Sequence, residues 1–150
     1  LIASGSRPGL YVVARLSTMG VGNRWIVRVT DNPVTSSLIG MFMASGTLLS
    51  AELAGNNALG AFTDTASVHL FGAFLDTAGV RHCSVDGADI ATQGTGASTT
   101  VNMGQITIGG QAGAANSQDA FIGCVVLTNP ALTAPQLVAL YAVARADFGF

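Results

Sequence analysis

The sequence predicts an all-β protein: a two-sheet antiparallel jelly-roll sandwich with one short C-terminal helix, filling residues 1–150 as a single domain. Three observations lead there. Short runs rich in β-branched and aromatic residues alternate with Gly, Asn, Asp and Pro turn signals along most of the chain. The hydrophobic period changes to that of a helix only once, near the end. The composition is 49% hydrophobic and 9% charged, whereas an ordinary soluble domain is about a quarter charged.

The strands follow in order. Gly9 to Ser17 is dense in β-branched and aromatic residues, and Arg24 to Thr30 alternates Trp25, Val27 and Val29 with Arg24, Arg28 and Thr30. That alternation places Trp25 on the core side of a half-exposed strand. Asp31-Asn32-Pro33 ends it, because Asx side chains favour local turns and Pro removes a ladder donor. Ser37 to Ala44 and Thr47 to Leu53 flank Ser45-Gly46 as a hairpin, and Gly55-Asn56-Asn57 reads as a turn. Val68 to Leu75 is apolar on both parities, the mark of a central strand covered on two faces. Asp76 to Gly79 turns the chain into Val80 to Val85, and Asp86-Gly87 is a strong hairpin signal because Gly tolerates φ > 0. Gln105 to Gly109 and Ala120 to Thr128 complete the strands, between polar loops at 93–100 and 110–118. The total comes to roughly nine to twelve strands, the count of a two-sheet sandwich. Thr133-Ala134-Pro135-Gln136 then supplies an N-cap, a first-turn Pro and a capping-box Gln. Leu137, Leu140, Tyr141, Ala144 and Phe148 share one face of a helix over about 134–146.

Composition also excludes functions. A 150-residue chain buries about two-thirds of its unfolded surface, enough for a core without metal or disulfide staples. Six Arg, no Lys and a net charge of −2 cannot neutralise a phosphate track, which argues against nucleic-acid binding. No run reaches the ~18 apolar residues of a membrane span. The first nine residues lack the basic region and apolar core of a signal peptide. Cys83 and Cys124 are too few for a disulfide framework and too far apart for a zinc knuckle, leaving buried thiols or a single bridge. A chain this apolar either buries more than usual or hides surface against other chains, and the second is the expectation here.

Val68-His69-Leu70-Phe71-Gly72, Asp76 and Cys83-Ser84-Val85-Asp86-Gly87 together resemble the W-H-H-V-A … D-G … L-Y-V-D-G stretch of laminin-G-like domains of the concanavalin A-like lectin-glucanase superfamily. Ile106-Thr107-Ile108-Gly109-Gly110 resembles their L-x-I-G-G strand. Phe121-Ile122-Gly123 and Leu127 to Thr133 resemble F-x-G-x-I … V-x-I-Y-N-R-A-L-S and the short helix after it. The match covers residues 66–142, with Ser84 in place of the usual Tyr and Ser67 or Val68 in place of the Trp before His69. The ending, Leu140 to Gly149, resembles versions found in bacteriophage virion proteins. The resemblance implies a concanavalin A-like jelly roll.

Catalysis finds little support. Laminarinase-like enzymes of this fold carry a Glu-x-Asp-x-Glu strand whose carboxylates project into one cleft; Glu52 is the only Glu and has no acid two residues away. There is no Gly-x-Ser-x-Gly elbow, and nothing marks Cys83 or Cys124 as an activated nucleophile beside His69 or His82. His69 is expected as a buried ring bonded to a neighbour, His82 as a partly exposed surface residue. Many laminin-G-like domains bind Ca²⁺ at a loop rim, so the resemblance makes Asp31, Asp64, Asp76 and Asp119 weak candidate ligands, with Asp89 also near a turn; turn-forming Asp is the plainer reading. Asp86 is the weakest of the set, since Asp-Gly alone explains it. No other cofactor is expected. Trp25, Tyr11 and Tyr141 all sit in core-like patterns, which leaves few exposed rings to stack on a sugar.

Two functions follow. The first is a non-enzymatic structural or interaction module, a virion surface component such as a capsid decoration, tail or fibre protein, with other protein chains of a larger assembly, including a homo-oligomer, as partners. The alternative is a carbohydrate-binding or adhesion module of an extracellular bacterial protein, with a surface glycan as partner. Both place the chain on a virion surface or outside the cell.

Overall fold

The computed structural model describes residues 3, 5–18, 24–30, 37–53, 56–94, 104–109 and 120–150. Within them the chain runs β1 (Gly9–Leu16), β2 (Arg24–Thr30), β3 (Ser37–Ser45), β4 (Leu48–Leu53), β5 (Asn56–Ala61), β6 (His69–Leu75), β7 (Arg81–Val85), β8 (Ala88–Gln93), β9 (Gln105–Ile108), β10 (Ala120–Thr128) and α1 (Ala134–Phe148). Two five-stranded antiparallel sheets result, ordered β10-β1-β6-β7-β8 and β5-β4-β3-β2-β9. They stack with β4 over β6 and β7, and β5 over β8.

Alternation along each strand decides what lies between the sheets. Leu10, Val12, Ala14 and Leu16 of β1 and Phe71, Ala73 and Leu75 of β6 meet Val27, Val29, Ile39, Met41, Met43, Leu49, Ala51 and Leu53 of the second sheet. The other parity of the first sheet is apolar too. Tyr11, Val13, Leu70 and Phe74 form a second cluster with Leu137 and Ala144 of α1. The strand at 68–75 is therefore covered on both faces, as its sequence predicts. Glycine permits the closest approach on the β5/β8 side, where a Cβ on Gly60 would meet Ile90 at 2.6 Å. On the opposite side Ile106 and Ile108 of β9 share the parity of Val29 and Val27, yet are 39% and 56% exposed.

The helix begins where the sequence places it. Thr133 N–H donates to Gln136 Oε1 at 2.9 Å, Pro135 stands in the first turn, and the Gly149 N–H closes the end on the Arg145 carbonyl at 3.0 Å. Gly149 adopts φ 73°, which only a residue without Cβ takes freely. The helix therefore extends two residues past the predicted 146.

Two sequence readings are corrected. Asn56 and Asn57, read as a turn, open β5 and pair with Leu53 and Glu52; Ala58 and Gly60 then face the core while Leu59 and Ala61 face out. Trp25 does not lie between the sheets. A bulge at Ile26, where the β2–β3 register shifts between Trp25 and Val27, adds one residue and turns Trp25 to the outer face. There it packs on Phe42 at 4.6 Å and under the Arg28 guanidinium at 4.8 Å. The cysteines carry free thiols. Cys83 lies in the inter-sheet core, and burial pushes its thiol up to about 12.

Candidate functional site

The two histidines and four of the turn aspartates assemble into paired clamps at opposite ends of β6. At its start, His69 presents Nδ1 to Asp86 Oδ2 at 2.7 Å and Nε2 to Asp64 Oδ2 at 3.2 Å. Asp86 Oδ1 accepts the Leu70 N–H at 2.9 Å, so this carboxylate ties the β7–β8 turn to the first residues of β6. Asp86 itself takes φ 53°, a left-handed geometry that Asp tolerates better than most residues. Asp64 Oδ1 accepts the N–H groups of Ala66 and Ser67 at 2.7 and 3.1 Å. Phe62 stands edge-on to both His69 and Phe71, with centroids 5.2 and 5.1 Å away. The ring of His69 is thus held by charge on two sides and by aromatic carbon on a third.

At the far end, His82 Nδ1 lies 2.8 Å from Asp89 Oδ2 and Nε2 lies 3.4 Å from Asp76 Oδ2. The second pair has ion-pair separation without hydrogen-bond alignment. Phe74 stacks flat on the ring at 4.5 Å. His82, expected as a surface residue, is therefore mostly covered.

The candidate ligand aspartates do not converge. Asp64 precedes β6 and Asp76 follows it, a separation of about 20 Å for a seven-residue strand. Asp31 and Asp119 lie outside the described residues. Among the described residues, no three His, Cys, Asp or Glu side chains are placed to hold a metal ion. The Ala66 N–H, the Ser67 hydroxyl and N–H, and His69 hold the Asp64 carboxyl well below the usual range. Burial would raise Asp76, but the Val80 N–H and His82 outweigh it and hold that carboxyl low as well.

These shifts set an acid response. Folded values below the unfolded ~3.9 mean that the unfolded chain binds protons first as the pH falls. The stabilisation is complete above about pH 5 and is lost as pH drops from about 4 through the folded values. Urea midpoints measured from pH 7 to pH 2.5 should fall steeply below about pH 4 in the native chain and less steeply in Asp64→Asn/Asp76→Asn. Parallel curves for the two would overturn this assignment.

Glu52 is the only Glu of the sequence, and among the described residues its cross-strand partners are not acids. Glu52 faces outward on β4, and its cross-strand neighbours are Gly40 and Asn57; burial raises its carboxyl while Arg28 pulls it back. Carboxyl-pair glycosidases need a second acid about 5–10 Å away. The aromatic residues beside it are closed to solvent, with Trp25 6% and Phe42 3% exposed.

A cleft with polar lining lies at the His69 clamp. It has a volume of about 440 Å³ and runs between the start of β6, the Asp86 turn and the last turns of α1. Ser67, His69 and Asp86 line one wall; Tyr141, Arg145 and Phe150 line the other. Tyr141 and Arg145 are four residues apart, so α1 presents them on one face. Tyr141 and Phe150 stand with ring centroids 5.9 Å apart. The helical pattern places Tyr141 on the core side of α1, and it does pack against the second apolar cluster while also lining the cleft; Arg145 carries no signal in that pattern. The i, i+4 spacing is visible in the sequence, but the wall opposite comes from residues roughly 55 to 80 positions earlier. A second cleft of about 350 Å³ separates Arg7 and Asp76 from the segment Pro130 to Ala134.

No family model and no curated protein matches the sequence. Solved structures do. Trypanosoma rangeli sialidase, as a covalent intermediate with 2,3-difluorosialic acid, aligns with a TM-score of 0.71 and 16% identity, over 94% of this chain and 23% of the sialidase. The same enzyme in complex with sialic acid aligns with a TM-score of 0.70 and 15% identity, over 94% and 23%. A chain of botulinum neurotoxin type C, whose cell entry depends on interaction with two ganglioside molecules, aligns with a TM-score of 0.65 and 12% identity, over 93% of this chain and 36% of the toxin chain. The likeness is one of fold. The protein shares a β-sandwich with parts of two glycan-related proteins, and spans well under half the length of either.

Proposed function

We propose that this domain is a non-catalytic carbohydrate-binding module, and that the cleft at His69, Asp86, Tyr141 and Arg145 is where the sugar sits. The observation that carries the reading is the cleft itself. Its volume, about 440 Å³, falls in the range of small-ligand sites, about 300–1,000 Å³. It combines an aromatic pair, suited to the C–H face of a pyranose, with polar groups on both walls. The wall at His69 and Asp86 is pre-organised by hydrogen bonds, so binding costs little ordering there.

The sialidase and toxin likenesses support this reading over a virion component. They also support attachment to a larger protein, since the chain matches only 23% of one and 36% of the other. The exposed Ile106, Ile108, Phe121, Val138 and Val143 fit a domain that meets further protein surface. The polar groups of the cleft belong to the chain, and sugar binding there requires no metal.

Glycan-array screening followed by calorimetry tests the proposal. Tyr141→Ala is expected to weaken the sugar found by about 5- to 100-fold, corresponding to about 1–3 kcal/mol of stacking and hydrogen bonding; Tyr141 also packs on the apolar cluster beneath α1, so Tm falls too and affinity is measured well below the variant's own Tm. EDTA should leave the affinity unaltered. A sugar whose affinity is indifferent to Tyr141 and Arg145 would place the site elsewhere and overturn the assignment.

A further inference from the structure

We infer that the sugar recognised in this cleft is acidic, a glycan residue bearing a carboxylate, and that Arg145 reads its charge; this rests on the carbohydrate-binding reading above. The inference comes from which polar groups around the cleft are already engaged. Both oxygens of Asp86 have partners, the Leu70 N–H at 2.9 Å and His69 Nδ1 at 2.7 Å. His69 uses its other nitrogen on Asp64 at 3.2 Å. The hydroxyl and the N–H of Ser67 are both turned to Asp64. The β6 wall is therefore closed upon itself.

The helix wall is the reverse. Among the described residues the ion pairs of the cleft are those of His69 with Asp64 and Asp86, and the Arg145 guanidinium lines the cleft without a carboxylate partner there. It carries five N–H donors in a planar fork that matches a carboxylate in bidentate fashion. The Tyr141 hydroxyl lies one helical turn away on the same face and adds another donor. A cleft whose uncommitted groups are mainly donors, one of them cationic, selects a ligand rich in acceptors and negatively charged.

Three of the other five arginines are engaged elsewhere. Arg81 is buried, with its Nε–H on the Leu53 carbonyl at 3.1 Å. Arg28 and Arg15 lie over the rings of Trp25 and Phe121. The closed wall at Asp86 has a second consequence. Its negative charge stands opposite Arg145 and penalises a misplaced anion, so the ligand carboxylate is confined to the helix side while its hydroxyls approach the β6 wall.

The experiment compares ligands that differ only in charge. Methyl glycosides of N-acetylneuraminic acid and of glucuronic acid are titrated into the full chain by calorimetry or NMR, each beside its own methyl ester. Methyl glucoside serves as the neutral reference. The acid of at least one pair is expected to bind about tenfold or more tightly than its ester, with the advantage shrinking between 50 mM and 500 mM salt. Which acid responds distinguishes a sialic from a uronic ligand. Arg145→Gln should bring acid and ester to equal affinity; the side chain is exposed, so an unchanged Tm verifies the fold. Equal binding of acid and ester to the native chain overturns the inference while leaving the carbohydrate reading standing. Absence of binding by every sugar, up to the highest concentration used, overturns both.

Discussion

Phe71→Ala is expected to destabilise the domain by about 3–5 kcal/mol, a fall in Tm of about 6 to 20 °C for a chain of this size. Phe71 is fully buried at the centre of the inter-sheet cluster, so its removal leaves a cavity that two hydrogen-bonded sheets cannot collapse to fill. The loss also reaches the cleft. Phe62 touches Phe71 edge-to-face at 5.1 Å and His69 at 5.2 Å, and His69 lies 5.8 Å from Phe71 itself. Without Phe71 the Phe62 ring loses its own support, so His69 is braced less firmly between its two aspartates and Asp86 is held by a looser partner. Sugar affinity should therefore fall along with stability. Leu59→Ala, on an exposed side chain of β5, provides the contrast and should lie within about 0.5 kcal/mol of the native chain. Urea unfolding at pH 7 measures both. A cost below about 1 kcal/mol for Phe71→Ala would mean that the core repacks freely, and the account of a rigid aromatic brace would fail.

The parts of this fold legible in the sequence are those where one local rule suffices. Gly9 to Ser17 and Val68 to Leu75 are apolar on both parities because both faces of their sheet are covered, by the second sheet and by α1. The helix was legible from Thr133, Pro135 and Gln136, since caps are written within a few residues. What misled was arithmetic broken by a single residue. Alternation put Trp25 beside Val27 and Val29, and the bulge at Ile26 reversed it. Asn56 and Asn57 looked like a turn because Asn favours turns, but cross-strand pairing to Glu52 and Leu53 decides their state. At the site, His69 was legible as a buried ring bonded to a neighbour. Asp86 was legible only as the residue before Gly87; that its carboxylate also caps Leu70 and holds His69 depends on β6 and β7 being paired. The Tyr141–Arg145 wall was a surface pattern on a helix until the topology set it across from that clamp.

Gly72→Ala is expected to cost about 1–3 kcal/mol in the native background and clearly less beside Ser84→Ala. Gly72 lies between β1 and β7, paired with Tyr11 on one side and Ser84 on the other. A Cβ there would run into the Ser84 hydroxyl and come within 3.3 Å of the Tyr11 ring. Neither neighbour moves easily. The Tyr11 hydroxyl accepts the Leu132 N–H at 3.0 Å, which ties β1 to the segment leading into α1, and Ser84 is itself buried. Yet the Ser84 hydroxyl has no hydrogen-bond partner among the described residues, so it forfeits its hydration without return. Ser84→Ala removes that unsatisfied group and should leave stability unchanged or raise it by up to about 1 kcal/mol. It also vacates the space that the Gly72 methyl would occupy. The double variant Gly72→Ala/Ser84→Ala should then be more stable than the sum of the singles by about 0.5–3 kcal/mol. Urea midpoints of the four proteins close the cycle. Additivity to within about 0.3–0.5 kcal/mol would show that the Tyr11 ring, and not the Ser84 hydroxyl, is what excludes a side chain at position 72. Coupling in the expected direction would identify Ser84 as the partner to which the bare backbone at Gly72 is fitted.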